Sequence, residues 1–121
     1  MSEQPKSLKI TRLNTVTIVG FRDSSILDAI TTQRVGRELY ELVDSGNHGK
    51  IVLDFEHVRF LSSQTLGVLL TLRRKADKAG VTIALAAIRP ELRRVFDISS
   101  LDKLFSFHDS VPKAAESLGE G

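Results

Sequence analysis

The chain has 121 residues, 41% hydrophobic and 26% charged, the size and make-up of one globular domain with a single core. Its formal net charge of +2 comes from basic and acidic residues interspersed along the chain, and its aromatics are six Phe and one Tyr. There is no basic stripe interleaved with stacking rings, which excludes direct nucleic-acid binding.

The lack of cysteine excludes disulfides, thiolate metal sites and a thiol nucleophile, and suits the reducing cytoplasm, where the protein is expected. The start, Met1 to Lys6, has no apolar region and does not read as a secretory signal. The longest strongly apolar run, Val81 to Ile88, falls far short of the ~20 residues that span a bilayer, so no membrane insertion is expected.

In chain order, residues 1–6 read as a polar tail, 7–118 as the domain and 119–121 as a second tail. Leu8 and Ile10 alternate with Lys9 and Thr11, and Thr15 to Val19 resumes the period of two after an Asn14-Thr15 turn, which predicts a hairpin closed at Gly20. Phe21 to Ser25 reads as a loop. From Asp28 or Ala29 to Asp44 the period changes: Val35, Leu39, Leu42 and Val43 fall on one face of a helix, stopped by Ser45-Gly46-Asn47-His48-Gly49. Lys50 to Phe55 is a continuous apolar run between turns, the mark of a strand buried on both faces in a parallel sheet.

A second helix starts near Ser63, runs to about Lys78 and ends at Gly80, with Leu66, Leu69, Leu70, Arg73 and Ala76 sharing a face. Val81 to Ala86 is another buried strand. Pro90 opens a third helix whose inner face is Leu92, Val95 and Phe96. Phe105 to Phe107 is a short edge strand, and Asp109 or Ser110 caps a last helix carrying Pro112, Ala114, Ala115 and Leu118. The fold class is therefore α/β: a mixed sheet of about five strands with an N-terminal hairpin, central parallel strands and about four helices.

The doublet Ser62-Ser63 lies between the central strand and the second helix, at the carboxyl edge of the sheet, where open α/β folds place their sites. One serine is expected to cap the helix, a contribution of about 1 kcal/mol, and the cap is placed at Ser63. A phosphate there would face the positive end of the helix and add about −1.5 to −2 charges. Catalysis finds no supply of partners. The histidines are His48, His57 and His108, and only His57 shares the loop with the doublet. No G-x-S-x-G elbow, metal-spaced histidine pair or Gly-rich phosphate loop is present. No enzyme activity, metal or cofactor is expected. Val68 and Leu72 lie four apart on a different helix face; they are either a second buried side or an apolar strip open to a partner.

Ile51-Val52-Leu53-Asp54, followed by Phe60-Leu61-Ser62-Ser63-Gln64-Thr65-Leu66-Gly67-Val68-Leu69-Leu70, resembles the signature of STAS domains, the anti-sigma factor antagonists. The likeness extends over roughly residues 8 to 118 and takes in Gly20 with Asp23 and the Pro90-Glu91-Leu92-Arg93-Arg94-Val95-Phe96 segment. The resemblance implies a phosphoacceptor at Ser63, with Ser62 as the alternative, and a partner surface of Asp23, Ser62, Gln64, Thr65, Val68 and Leu72. It implies an anti-sigma factor of the GHKL serine kinase type as binding partner and phosphorylating enzyme, and a metal-dependent serine phosphatase that reverses the mark. Ser62 stands where the family has aspartate, and Gln64-Thr65 where it has Ser/Thr-Gly. These departures motivate an alternative: a phosphorylation-independent interaction or scaffold subunit of a signalling or transport complex.

Overall fold

The computed structural model describes residues 7–119; the two expected tails lie outside that range apart from Gly119. The alternating hairpin forms as β1 (Leu8–Leu13) and β2 (Val16–Phe21), antiparallel, with Asn14 at φ 55° making the turn. The rest alternates: β3 (Ser25–Ile26), α1 (Ala29–Asp44), β4 (Lys50–Asp54), β5 (Phe60–Leu61), α2 (Ser63–Ala79), β6 (Thr82–Ala86), α3 (Pro90–Ile98), a 3-10 turn at Leu101–Lys103, β7 (Ser106–His108) and α4 (Val111–Ser117). The main sheet has the order β1-β2-β4-β6-β7, with β2, β4, β6 and β7 parallel. β4 lies at its centre with Ile51, Val52 and Leu53 buried, as its unbroken apolar run requires.

The sheet divides the interior unequally. On one side α1, α2 and α3 bury Val35, Leu39, Leu42, Val43, Leu66, Leu69, Leu72, Ala76, Leu92 and Phe96 against Val19, Ile51, Leu53, Ile83 and Leu85. A file of rings, Phe21–Phe55–Phe96–Phe107, crosses this core with centroid separations of 5.0, 6.3 and 5.5 Å. The other face carries only α4, whose Ala114 and Ala115 pack on Val16, Val52, Ala84 and Ala86. Alanine meeting alanine lets a seven-residue helix sit close to the sheet, but it covers only part of that face.

Three sequence expectations shift. Gly20 does not close β2; the strand runs on to Phe21, paired with Leu8, and the Arg22 N–H donates to the Ser7 carbonyl just beyond. The edge strand is displaced by one residue, to Ser106–His108, because Phe105 turns into the core. The loops after β2 and β4, expected to be irregular, contain the two-residue strands β3 and β5, which pair with each other and with nothing in the main sheet. At the end of α2, Gly80 takes the left-handed conformation at φ 72°, and both its N–H and that of Val81 return to the Ala76 carbonyl.

At the opposite end of the sheet from the serine doublet, His48 Nδ1 lies 2.7 Å from the hydroxyl of fully buried Thr17. Burial, and secondarily the nearby Arg12 guanidinium, hold the imidazole below its ordinary pKa of 6.5. The unfolded chain therefore takes up a proton at His48 before the folded one does. Its contribution to stability is full above about pH 6.5 and is lost as pH falls through the lower folded value. Denaturant midpoints measured from about pH 7 down to 5.5 are expected to fall less in His48→Gln than in the unaltered chain; equal slopes would show that His48 carries none of the acid sensitivity.

Candidate functional site

The serine doublet is positioned by the small β3–β5 ladder. Ser25 pairs with Phe60 and Ile26 with Leu61, and the Ser24 carbonyl accepts from the Arg59 and Phe60 N–H groups at 2.8 and 3.2 Å. Each short strand leads directly into a helix, so α1 and α2 leave side by side with their N-termini at the same end of the molecule. The Ser62 N–H donates to the Ile26 carbonyl at 3.1 Å, which ends β5 and fixes where α2 begins.

That geometry selects between the serines. Ser62, not Ser63, is the N-cap: its backbone is extended (φ −90°, ψ 165°) and its Oγ accepts from the Thr65 N–H at 3.2 Å. Its hydroxyl also lies 3.0 Å from Thr65 Oγ1, which in turn donates to the Ile26 carbonyl at 3.0 Å. Because a carbonyl can only accept, the Thr65 proton is committed to Ile26 and the Ser62 proton to Thr65. Thr32 of α1 closes the chain, with its Oγ1 3.4 Å from that of Thr65. Ser63 is the first residue inside the helix; it is exposed and its hydroxyl bonds to no described residue. The cap expected at Ser63 is thus one residue earlier, because the ladder extends the strand through Leu61.

The other sequence-predicted contacts separate into surface and interior. Gln64 is exposed beside Ser63, and Asp23 is exposed in the loop that leads into β3, so both reach this end of the molecule. Thr65 and Leu72 do not belong to a contact surface: they are 2% and 1% exposed. The buried stripe of α2 is Thr65, Leu66, Leu69, Leu72 and Ala76, turned from the face expected from periodicity. Val68 is half-buried at the crossing with α1, where any Cβ on Gly36 would stand 3.3 Å from both Val68 methyls. The apolar strip expected on α2 therefore faces the core and α1.

The exposed apolar side chains lie elsewhere. At this end Leu27, Ile30 and Phe60 are 52%, 70% and 55% exposed, in the link between β3 and α1, in the first turn of α1 and on β5. A sequence signal existed for Ile30, which falls off the Val35–Leu39–Leu42–Val43 face. None existed for Phe60, since a two-residue strand is too short to show a period.

The electrostatics differ between the two helix starts, α1 being answered by a carboxylate cap and α2 not. Two helix N-termini stand together, and the first turns of both helices lack acidic residues. Asp28 caps α1 and accepts from the Thr31 hydroxyl and N–H, which hold its carboxyl below the ordinary pKa. At α2, the Ser63 and Gln64 N–H groups are first-turn donors with no acceptor inside the helix. Among the described residues no cluster of His, Asp or Glu could hold a metal, and no helix is long and apolar enough to cross a membrane.

Residues 9–114 match the family model of the STAS domain. The chain belongs to the STAS domain family. It is 28% identical to an anti-sigma F factor antagonist of Paenibacillus polymyxa over 80% of this chain and 83% of that one. Its fold matches an anti-sigma factor antagonist from Mycobacterium paratuberculosis, with a TM-score of 0.80 at 22% identity, covering 93% of this chain and 92% of that one. It also matches the Bacillus cell fate determinant SpoIIAA in its phosphorylated form, with a TM-score of 0.70 at 17% identity over 92% and 98% of the two chains. The Paenibacillus and Mycobacterium relatives are named for what they antagonise rather than for a reaction.

The two serines of this STAS domain are expected to respond differently to truncation. Ser62→Ala removes the cap and strands the Thr65 hydroxyl contact, a loss of about 1 kcal/mol or slightly more, whereas Ser63→Ala stays within about 0.5 kcal/mol of the parent. Chemical denaturation of both variants checks this; a larger loss at Ser63 would return the cap to that residue. Leu72→Ala is expected to cost about 2–5 kcal/mol by the same measurement, as a core truncation does.

Proposed function

We propose that this STAS domain is an anti-sigma factor antagonist whose binding is switched by reversible phosphorylation of Ser63. The observation that carries the reading is the division of labour in the doublet: Ser62 has its hydroxyl committed inside the fold, while Ser63 offers an exposed one free of described partners. The names of the relatives support the binding role, and SpoIIAA, whose fold is shared, is known in a phosphorylated form.

The chemistry is compatible with a switch that leaves the fold intact. A phosphate on Ser63 stands next to the free Ser63 and Gln64 N–H groups at the positive end of α2, so the folded state tolerates or welcomes it. The same dianion would be exposed at the end of the molecule that also carries the exposed Leu27, Ile30 and Phe60. A partner that covers those side chains would have to desolvate the phosphate, and binding weakens. The partner in this reading is an anti-sigma factor that is also a GHKL-type serine kinase, with a metal-dependent serine phosphatase restoring the binding form. A cytoplasmic setting and a role in transcription regulation follow from those partners.

A second reading, a constitutive interaction subunit, is favoured by one observation: Ser62 replaces the family's aspartate next to the acceptor and serves as an uncharged cap. The two separate in one experiment. Affinity capture on the Ser63→Ala chain is expected to recover the anti-sigma factor. Calorimetry with that partner should give unchanged affinity for Ser63→Ala and a loss of about tenfold or more, ~1.4 kcal/mol, for Ser63→Asp. The Ser63→Asp chain is expected to be as stable as the parent or more so, by about 0.3–1 kcal/mol, since an acid at the helix start is favourable. Equal affinity for the two variants would defeat the switch and leave the constitutive subunit.

A further inference from the structure

On the sheet face that carries α4, the half that α4 leaves uncovered holds a cavity of about 510 Å³ lined by Lys9, Thr11, Ile18, Gly20, Phe21, Arg22, Asp54, Glu56 and His57. Its size falls in the range of small-molecule sites, and it opens at the carboxyl ends of parallel strands β2 and β4. We propose that this cavity binds a small zwitterion, holding its anionic group at Lys9 and Arg22 and its cationic group at Asp54.

The sheet register supports the assignment. Lys9 lies opposite Gly20, and Gly20 opposite Asp54, so the three form a row across β1, β2 and β4. The row continues to Ala86, which packs under α4, so all of it faces the same side. Lys9 and Asp54 are thus two strand spacings apart, roughly 9.5 Å between Cα atoms. Between them Gly20 leaves a floor without a side chain, where a Cβ would meet nothing nearer than the Lys9 carbonyl at 3.8 Å.

Opposite charges that line one cavity would ordinarily pair. Here no ion pair joins Lys9 or Arg22 to Asp54 or Glu56; the described ion pairs all lie elsewhere. The Asp54 carboxylate is oriented by one bond from the Glu56 N–H at 3.0 Å to its Oδ1, and Oδ2 has no described partner. Arg22 donates Nε to the Leu8 carbonyl at 3.2 Å, which fixes its stem and leaves the guanidinium tip available. Arg89 braces the far rim through its bond to the Glu56 carbonyl at 3.3 Å. Arg22 and Asp54, opposite in sign and each held by one hydrogen bond, flank a floor without a side chain, with the exposed Lys9 free to swing over it; they match a molecule whose own charges are several bonds apart, such as an ω-amino acid or a dipeptide.

The test titrates the isotopically labelled full chain with γ-aminobutyrate and with glycylglycine, following amide shifts, with acetate and methylammonium at equal ionic strength as singly charged controls. Saturable shifts centred on Gly20, Arg22, Asp54 and Glu56 are expected with at least one zwitterion and not with the controls. Lys9→Gln and Asp54→Asn are each expected to weaken the response about tenfold, the scale of one charge-assisted contact. Gly20→Val fills the floor with a strand-favouring residue and should abolish the response while the remaining spectrum stays that of the folded chain. Absence of saturation into the tens of millimolar, equal responses to the controls, or an undiminished response in Gly20→Val would each overturn the proposal.

Discussion

One carbonyl oxygen organises the functional end of this molecule. Ile26 is fully buried, and its carbonyl accepts from both the Ser62 N–H and the Thr65 hydroxyl, at 3.1 and 3.0 Å. Both its lone pairs are thereby used, and each bond contributes about 1 kcal/mol net while sparing a larger penalty for an unsatisfied buried group. The bond to the Ser62 N–H ends β5, and the bond from Thr65 holds the first turn of α2 against the loop that precedes α1. Thr32 adds contact from α1 itself. Two helix starts, one short ladder and the serine doublet therefore hold their places together.

This arrangement separates a structural serine from an available one although they are adjacent in sequence. Ser62 is drawn into the hydroxyl chain and loses its freedom; Ser63, one residue further, begins the helix and turns outward. The positive end of α2, capped by an uncharged serine, supplies a setting in which added negative charge is favourable to the helix. A modification there alters what the surface presents, with Leu27, Ile30 and Phe60 exposed at the same end, and leaves the core as it was. Where the family has aspartate and glycine around the acceptor, this chain has Ser62 and Thr65, and the two are bonded to each other. The departures form a matched pair, since the threonine that replaces glycine supplies the acceptor for the hydroxyl that replaces the carboxylate.

Much of this was legible in the sequence, for identifiable reasons. The stripe Val35, Leu39, Leu42 and Val43 could only be a helix face, the run Ile51-Val52-Leu53 only a strand covered on both sides, and Pro90 and Gly80 marked a start and a stop. What escaped depended on tertiary pairing. Ser62 and Ser63 are equally good caps by residue type, and only the Ile26 carbonyl, 36 residues upstream of Ser62, decides between them. On α2, Leu66 and Leu69 fit both a stripe that adds Leu70 and Arg73 and one that adds Thr65 and Leu72; the second is the buried one, with Val68 at the close crossing against Gly36. The exposed Phe60 could not be foreseen because the strand that presents it is two residues long, nor Leu27, which follows a strand equally short.

A switch at this end requires Ser63 to be the available hydroxyl of the pair. The most direct measurement is phosphosite mapping by fragment mass spectrometry, after incubation of the chain with ATP and the serine kinase proposed as its partner. One phosphate is expected, on Ser63, with Ser62 unmodified. Phosphate on Ser62, or an unmodified doublet under a kinase shown to be active, would contradict it.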